Sequence, residues 1–173
     1  MTKAEPLDEA VDHVRGPAGT PVILEYGDYE CPYSRAAFRA IEQVEGRRPD
    51  GVRFAFRHFP LVDIHPHAMA ASGAAEAAAV QGRFWEMHEL LFHRQSDLED
   101  DDLRRYAGKL ELDLSRFDEA RAGSDVADRI DRDVTSGIET GEINGTPTLF
   151  IDGVVHRGAY DAESLLAALG VSA

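Results

Sequence analysis

The feature that most limits the fold of this chain is the order in which its hydrophobic periods change. Val22 to Tyr26 is a near-continuous apolar run, the pattern of a strand covered on both faces. Helix is expected from Pro32 to about Val44, with Ala36, Ala37, Phe38, Ala40 and Ile41 as its buried stripe. Arg47-Arg48-Pro49-Asp50-Gly51 breaks that helix, and Val52 to Phe56 alternates as a second strand. Strand, helix and strand with short joins make a βαβ unit, whose crossover should be right-handed.

A long helical stretch follows. Met69 to Gln81 is alanine-rich, and Arg83 to Phe92 carries Phe84, Trp85, Met87, Leu90 and Leu91. Asp100-Asp101-Asp102 precedes a helix expected over Leu103 to Leu110, and Ser115 and Ser124 are expected to cap two more. Strands return at Thr148 to Ile151 and at Val154 to His156. Between them Asp152-Gly153 is a strong hairpin signal. A last helix is expected from an Asp161 cap to Leu169, stopped by Gly170. The fold class is α/β: βαβ and ββα halves flank a helical insertion, placed at 64–140, within a single domain spanning 1–173.

Composition removes several function classes. Eighteen basic against thirty-two acidic residues give a formal charge of −14, which argues against nucleic acid and anionic membrane surfaces as partners. No apolar run is long enough to span a membrane. Met1-Thr2-Lys3-Ala4-Glu5-Pro6 lacks the basic-then-apolar pattern of a signal peptide, so a cytoplasmic location is expected. The single cysteine excludes an intramolecular disulfide framework.

That cysteine, Cys31, falls between the first strand and the first helix, with Pro32 in the favoured first helical position. A sulfur at a helix N-terminus meets unpaired N–H groups and the positive end of the macrodipole, which favour a thiolate. Asp28 and Glu30 nearby oppose that effect, and Arg35 is placed to offset them. The ordinary alternative, an inert buried thiol, is the less favoured reading at this junction. Ser34 lies one turn on, so its hydroxyl is expected to donate to the sulfur.

Three segments now fit together: Gly27-Asp28-Tyr29-Glu30-Cys31-Pro32-Tyr33 after the first core strand, Phe59-Pro60-Leu61 after the next, and Gly145-Thr146-Pro147-Thr148 before the hairpin. From about Asp12 to Leu169 the chain resembles the DsbA-like disulfide oxidoreductases of the thioredoxin fold. The resemblance implies that Cys31 is the nucleophile, that Pro147 is cis beside it, and that the Thr146 backbone pairs with bound peptide. Pro32 and Tyr33 complete that substrate surface. It also implies a proton-transferring acid at Glu25, for which a solvent-facing edge position is an equal alternative. The family's usual second cysteine is replaced by Ser34, which cannot attack a mixed disulfide.

The expected function is therefore monothiol thiol-disulfide exchange or isomerisation. Protein or small-molecule disulfides would be the substrates, no cofactor is bound, and an external thiol such as glutathione resolves the adduct. Two alternatives remain. One is a non-redox peptide-binding or regulatory domain, since domains of this family occur fused to sodium/proton antiporters. The other is a kappa-class-like glutathione transferase or isomerase, against which a cysteine in the first motif position counts. His58, His65 and His67 invite a metal reading, but their spacing lacks a carboxylate and no metal is expected. Asp97 to Asp102 reads as a solvated acidic turn rather than a calcium loop.

Overall fold

The computed structural model describes residues 3–170. Its five-stranded sheet has the order β1-β3-β2-β4-β5, built from β1 (His13–Arg15), β2 (Val22–Gly27), β3 (Arg53–His58), β4 (Thr148–Ile151) and β5 (Val154–Val155). Only β2 and β3 run parallel, joined by α1 (Pro32–Arg47). The β4–β5 hairpin turns at Asp152 and Gly153, both left-handed with φ of 47° and 81°. Those are the conformations a two-residue primed turn demands.

Because side chains alternate across a strand, β2 divides its residues between two cores. Leu24 and Tyr26 face one side with Ala55 and Phe150. Ile23 faces the larger core, which holds Phe38, Phe54, Phe56 and most of the helices' apolar residues. Glu25 shares the parity of Ile23 and is fully buried, as a central strand requires. The solvent-facing alternative for Glu25 is thereby removed.

Five helices separate β3 from β4 in the chain: α2 (Ala68–Ala79), α3 (Phe84–His93), α4 (Asp100–Lys109), α5 (Leu114–Ala122) and α6 (Ser124–Thr140). A final helix, α7 (Ala162–Ala168), packs beside α1. Among the described residues no helix is long and apolar enough to cross a membrane.

Several helix starts differ from the sequence expectation, each for a local reason. Helix α4 begins at Asp100 because Glu99 and Asp102 form a reciprocal capping box, which turns the acidic run into a first helical turn. Asp113 caps α5 through its side chain, which accepts from Arg116 N at 2.9 Å, so Ser115 lies inside the helix. Gly123 precedes α6, which makes Ser124 its first residue rather than its cap. Asp161 does cap α7, accepting from Ser164 N at 3.0 Å. Strand β1 has only three residues and no alternation to announce it; its pairing with Phe54, Ala55 and Phe56 creates it.

Candidate functional site

Cys31 is the N-cap of α1, in extended conformation, with Pro32 following at the helix start. Its N–H donates to Asp28 O at 3.1 Å, and its own carbonyl accepts from Arg35 N, closing the first helical turn. The side chain is 3% exposed, and its Sγ lies 3.3 Å from the Thr146 carbonyl oxygen. The Thr146-Pro147 bond is cis. Cys31, Thr146 and Pro147 are therefore brought together across 115 positions of sequence.

Ser34 is fully buried one turn below, but its hydroxyl does not engage the sulfur. It accepts instead from the Asp28 N–H at 3.2 Å, which ties α1 to the turn before Cys31. The expected hydroxyl-to-sulfur bond is thus replaced by a backbone-to-hydroxyl bond. Pro32 and Tyr33 face solvent, Tyr33 at 65% exposure. With Val62 and Ile64 they put apolar side chains at the surface. A groove of about 380 Å³ runs along the Thr146 loop, lined by Phe59, Leu61, Ile64 and Ile143.

The acidic residues that flank Cys31 are already partnered. Asp28, wholly buried, accepts from Glu30 N and Leu61 N and contacts His65 Nδ1 at 2.7 Å. Glu30 accepts from His67 N at 2.7 Å and meets His67 Nδ1 at 2.9 Å. Both carboxylates therefore lock the turn before Cys31 to the loop between β3 and α2. The hydrogen bond to Glu30 raises the His67 imidazole above its ordinary range despite its exposure. His65 and His67 thus serve this loop, and His58 turns elsewhere, toward Glu76.

Glu25, on the central strand β2, has both carboxyl oxygens buried and without a hydrogen-bond partner. Burial pushes its carboxyl up to about 8, so it is mainly protonated at neutral pH. Gly27 leaves it space: a Cβ there would stand 2.7 Å from Glu25 Oε1 and 2.5 Å from the Phe56 ring.

Two residues escaped the sequence reading. Gln95 Nε2 donates to both the Tyr29 and Cys31 carbonyls, at 2.8 and 2.9 Å, and so holds the loop from the helical block. Tyr160, ahead of α7, has its hydroxyl raised first by burial and then by Cys31, Tyr33 and Glu25. Neither lies in a motif, and nothing local marks them.

Comparison with known proteins fits this geometry. A family model described as "Thioredoxin" matches residues 8–170. The chain belongs to the thioredoxin family. Solved structures of the same fold include a thioredoxin-like oxidoreductase from Silicibacter pomeroyi, with TM-score 0.82, 24% identity, and coverage of 94% of this chain and 92% of that one. Another is oxidised BdbD from Bacillus subtilis, with TM-score 0.84, 19% identity, and 98% and 96% coverage. A thiol-disulfide exchange protein, alpha-DsbA2 from Wolbachia pipientis, superposes with TM-score 0.79 at 18% identity, covering 94% and 87%. At these identities the shared property is the DsbA-like fold.

Sequence relatives are nearer. The Na(+)/H(+) antiporter NhaA 3 of Salinispora tropica is 47% identical over 95% of this chain. The Na(+)/H(+) antiporter NhaA 1 of Mycolicibacterium vanbaalenii is 44% identical, again over 95%. The thioredoxin-family chain spans only 25% of the first relative and 27% of the second. Cys31 is its one cysteine, free and buried, and Ser34 stands three positions on.

Proposed function

We propose that this thioredoxin-family domain carries out thiol-disulfide exchange with Cys31 as its single nucleophile. The observation that supports the reading best is the contact between Cys31 Sγ and the Thr146 carbonyl, at a helix N-terminus and beside Pro147. Cys31 thiolate attacks one sulfur of a substrate disulfide. A bond forms between Cys31 and that sulfur, the old S–S bond breaks, and the departing thiolate takes a proton. Glu25, fully buried and mainly protonated at neutral pH, is the acid assigned to supply that proton. Ser34 cannot complete a second displacement, so an outside thiol, of the glutathione class, attacks the mixed disulfide and restores Cys31. The cycle exchanges partners with no net oxidation, which suits isomerisation or deglutathionylation. Protein or small-molecule disulfides are its substrates.

A second reading rests on the antiporter relatives, in which a segment like this chain is about a quarter of the whole. There the domain regulates a longer transporter by binding peptide at Thr146, without chemistry at sulfur.

Intact mass after incubation with oxidised glutathione tests the first reading. A single adduct that free thiol removes, and that Cys31→Ala lacks, is the expected result. Absence of any adduct across neutral pH, in protein shown to be folded, overturns it and leaves the regulatory reading.

A further inference from the structure

Apart from Cys31, side chains from three elements converge on one point between the sheet edge and the helical block. His13 stands on β1, His58 ends β3, and Glu76 lies in the third turn of α2. Glu76 Oε1 is 2.6 Å from His13 Nε2 and 2.7 Å from His58 Nε2. The donor atoms of all three residues lie within 4.8 Å of one another. His58 is fully buried and Glu76 nearly so, whereas the His13 side chain keeps 15% exposure and leaves one flank open. The rings are held by packing: His13 stacks on Phe84 at 3.5 Å, and His58 stands edge-on to Phe56 at 5.5 Å.

We propose that His13, His58 and Glu76 form a divalent-metal site of the zinc type, with water completing the coordination on the open side of His13. Two imidazole nitrogens and one carboxylate oxygen are a zinc donor set, whereas magnesium and calcium take mainly oxygen. Metal–ligand bonds of about 2.0–2.2 Å in a tetrahedron separate donors by roughly 3.4 Å, so the contacts of 2.6 and 2.7 Å need to open by about 0.8 Å. His13 can supply that movement on its side, because its strand has three residues and lies at the sheet edge, and the Glu76 side chain must shift away from buried His58 for the other contact. A cation there replaces the two N–H groups that now share one oxygen. It would clamp β1 and β3 to α2. Glu76 Oε1 already faces both imidazole nitrogens that would share the metal with it. Among the described residues no hydrogen bond joins these three directly to Cys31, whose sulfur meets the Thr146 carbonyl instead.

Cobalt(II) is the probe, added to chelator-treated wild-type protein and to Cys31→Ala, which removes sulfur as a competing ligand. The expected result is a tetrahedral cobalt absorption band saturating at one equivalent in both proteins and displaced by Zn(II). Zn(II) should also raise the melting temperature. His13→Ala, at the solvent-facing flank, and Glu76→Gln should each weaken binding at least tenfold and abolish the zinc-dependent rise. His67→Ala should leave both readouts unchanged. Absence of a saturable band in folded Cys31→Ala protein overturns the proposal. So does binding that survives His13→Ala or is lost in His67→Ala, and the cluster is then a hydrogen-bonded triad only.

Discussion

Replacing Glu25 with Gln should change how stability depends on pH, and the size of the change follows from burial. The carboxyl moves from an ordinary value of 4.5 to about 8 in the folded protein because it is desolvated and has no hydrogen-bond partner. The folded state thus holds this proton more tightly than the unfolded chain does. Glu25 costs nothing extra below pH 4.5, and the protein loses stability as pH rises from there to about 8. Each unit is worth about 1.4 kcal/mol, so the loss accumulated by pH 7 is about 3 kcal/mol. Glutamine is a neutral mimic of the protonated acid and carries no such slope. Its amide also lacks partners, a cost of about 1–3 kcal/mol, but that cost does not change with pH.

The decisive quantity is therefore the difference between variant and wild type across pH. Urea unfolding at several pH values, followed by fluorescence of the single tryptophan Trp85, measures it. The gap should move in favour of Glu25→Gln by about 3 kcal/mol between pH 4.5 and 7, equivalent to about 6–12 °C in Tm. Other titrating groups are common to both proteins and cancel. Parallel profiles for the two proteins would refute the reasoning, because they would mean that Glu25 is solvated or partnered when folded.

Ser34→Cys should restore a second thiol one turn from Cys31; an intramolecular disulfide, seen by mass as the loss of two hydrogens, and faster release of a glutathione adduct are the expected results. Asp12→Ala should destabilise the fold by about 3–5 kcal/mol in urea, because Arg57 would stay buried without the carboxylate that binds its Nε and Nη2 at 2.9 and 2.8 Å. Burial opposes ionisation of Asp12, but Arg57 outweighs it and lowers the group from 3.8 to about 2, so wild type should lose about 2 kcal/mol as pH falls through that range. His67 should titrate above 6.5 by NMR, and its pair with Glu30 should stabilise below that pH and weaken as pH rises through the folded value. A midpoint for His67 at or below 6.5 would contradict the pairing.

The strands and the thiol loop were legible because each is a local pattern. Val22 to Gly27 is too apolar to face water, Pro32 opens a helix, and Asp152-Gly153 can hardly do anything but turn. The electrostatics of the loop were not legible, because the partners of Asp28 and Glu30 lie 37 positions away at His65 and His67. Read locally, two acids beside a sulfur oppose a thiolate. Read in space, they are hydrogen-bond acceptors that fasten the loop. The same limit hid Gln95, which reaches Cys31 across 64 positions, and separated His58 from His13 and Glu76. Sequence distance grouped His58 with His65 and His67, whereas the strand pairing of β1 with β3 and the course of α2 assign it to another set.

Ser34 marks the point where local and spatial readings meet. A hydroxyl in place of a thiol would be expected to turn toward the sulfur, yet Asp28 N–H claims it, and the sulfur is left with the Thr146 carbonyl. The substitution thus removes the internal resolving group and also keeps its replacement occupied with the backbone. On the monothiol reading, a mixed disulfide at Cys31 then has no competitor within the chain, and its lifetime is set by the concentration of outside thiol. On the same reading Glu25, mainly protonated at neutral pH and without a hydrogen-bond partner, would be a proton source that does not depend on a second cysteine. The rate of adduct formation should accordingly lose an inflection near pH 8 in Glu25→Gln, while the rate of resolution should stay first order in added thiol.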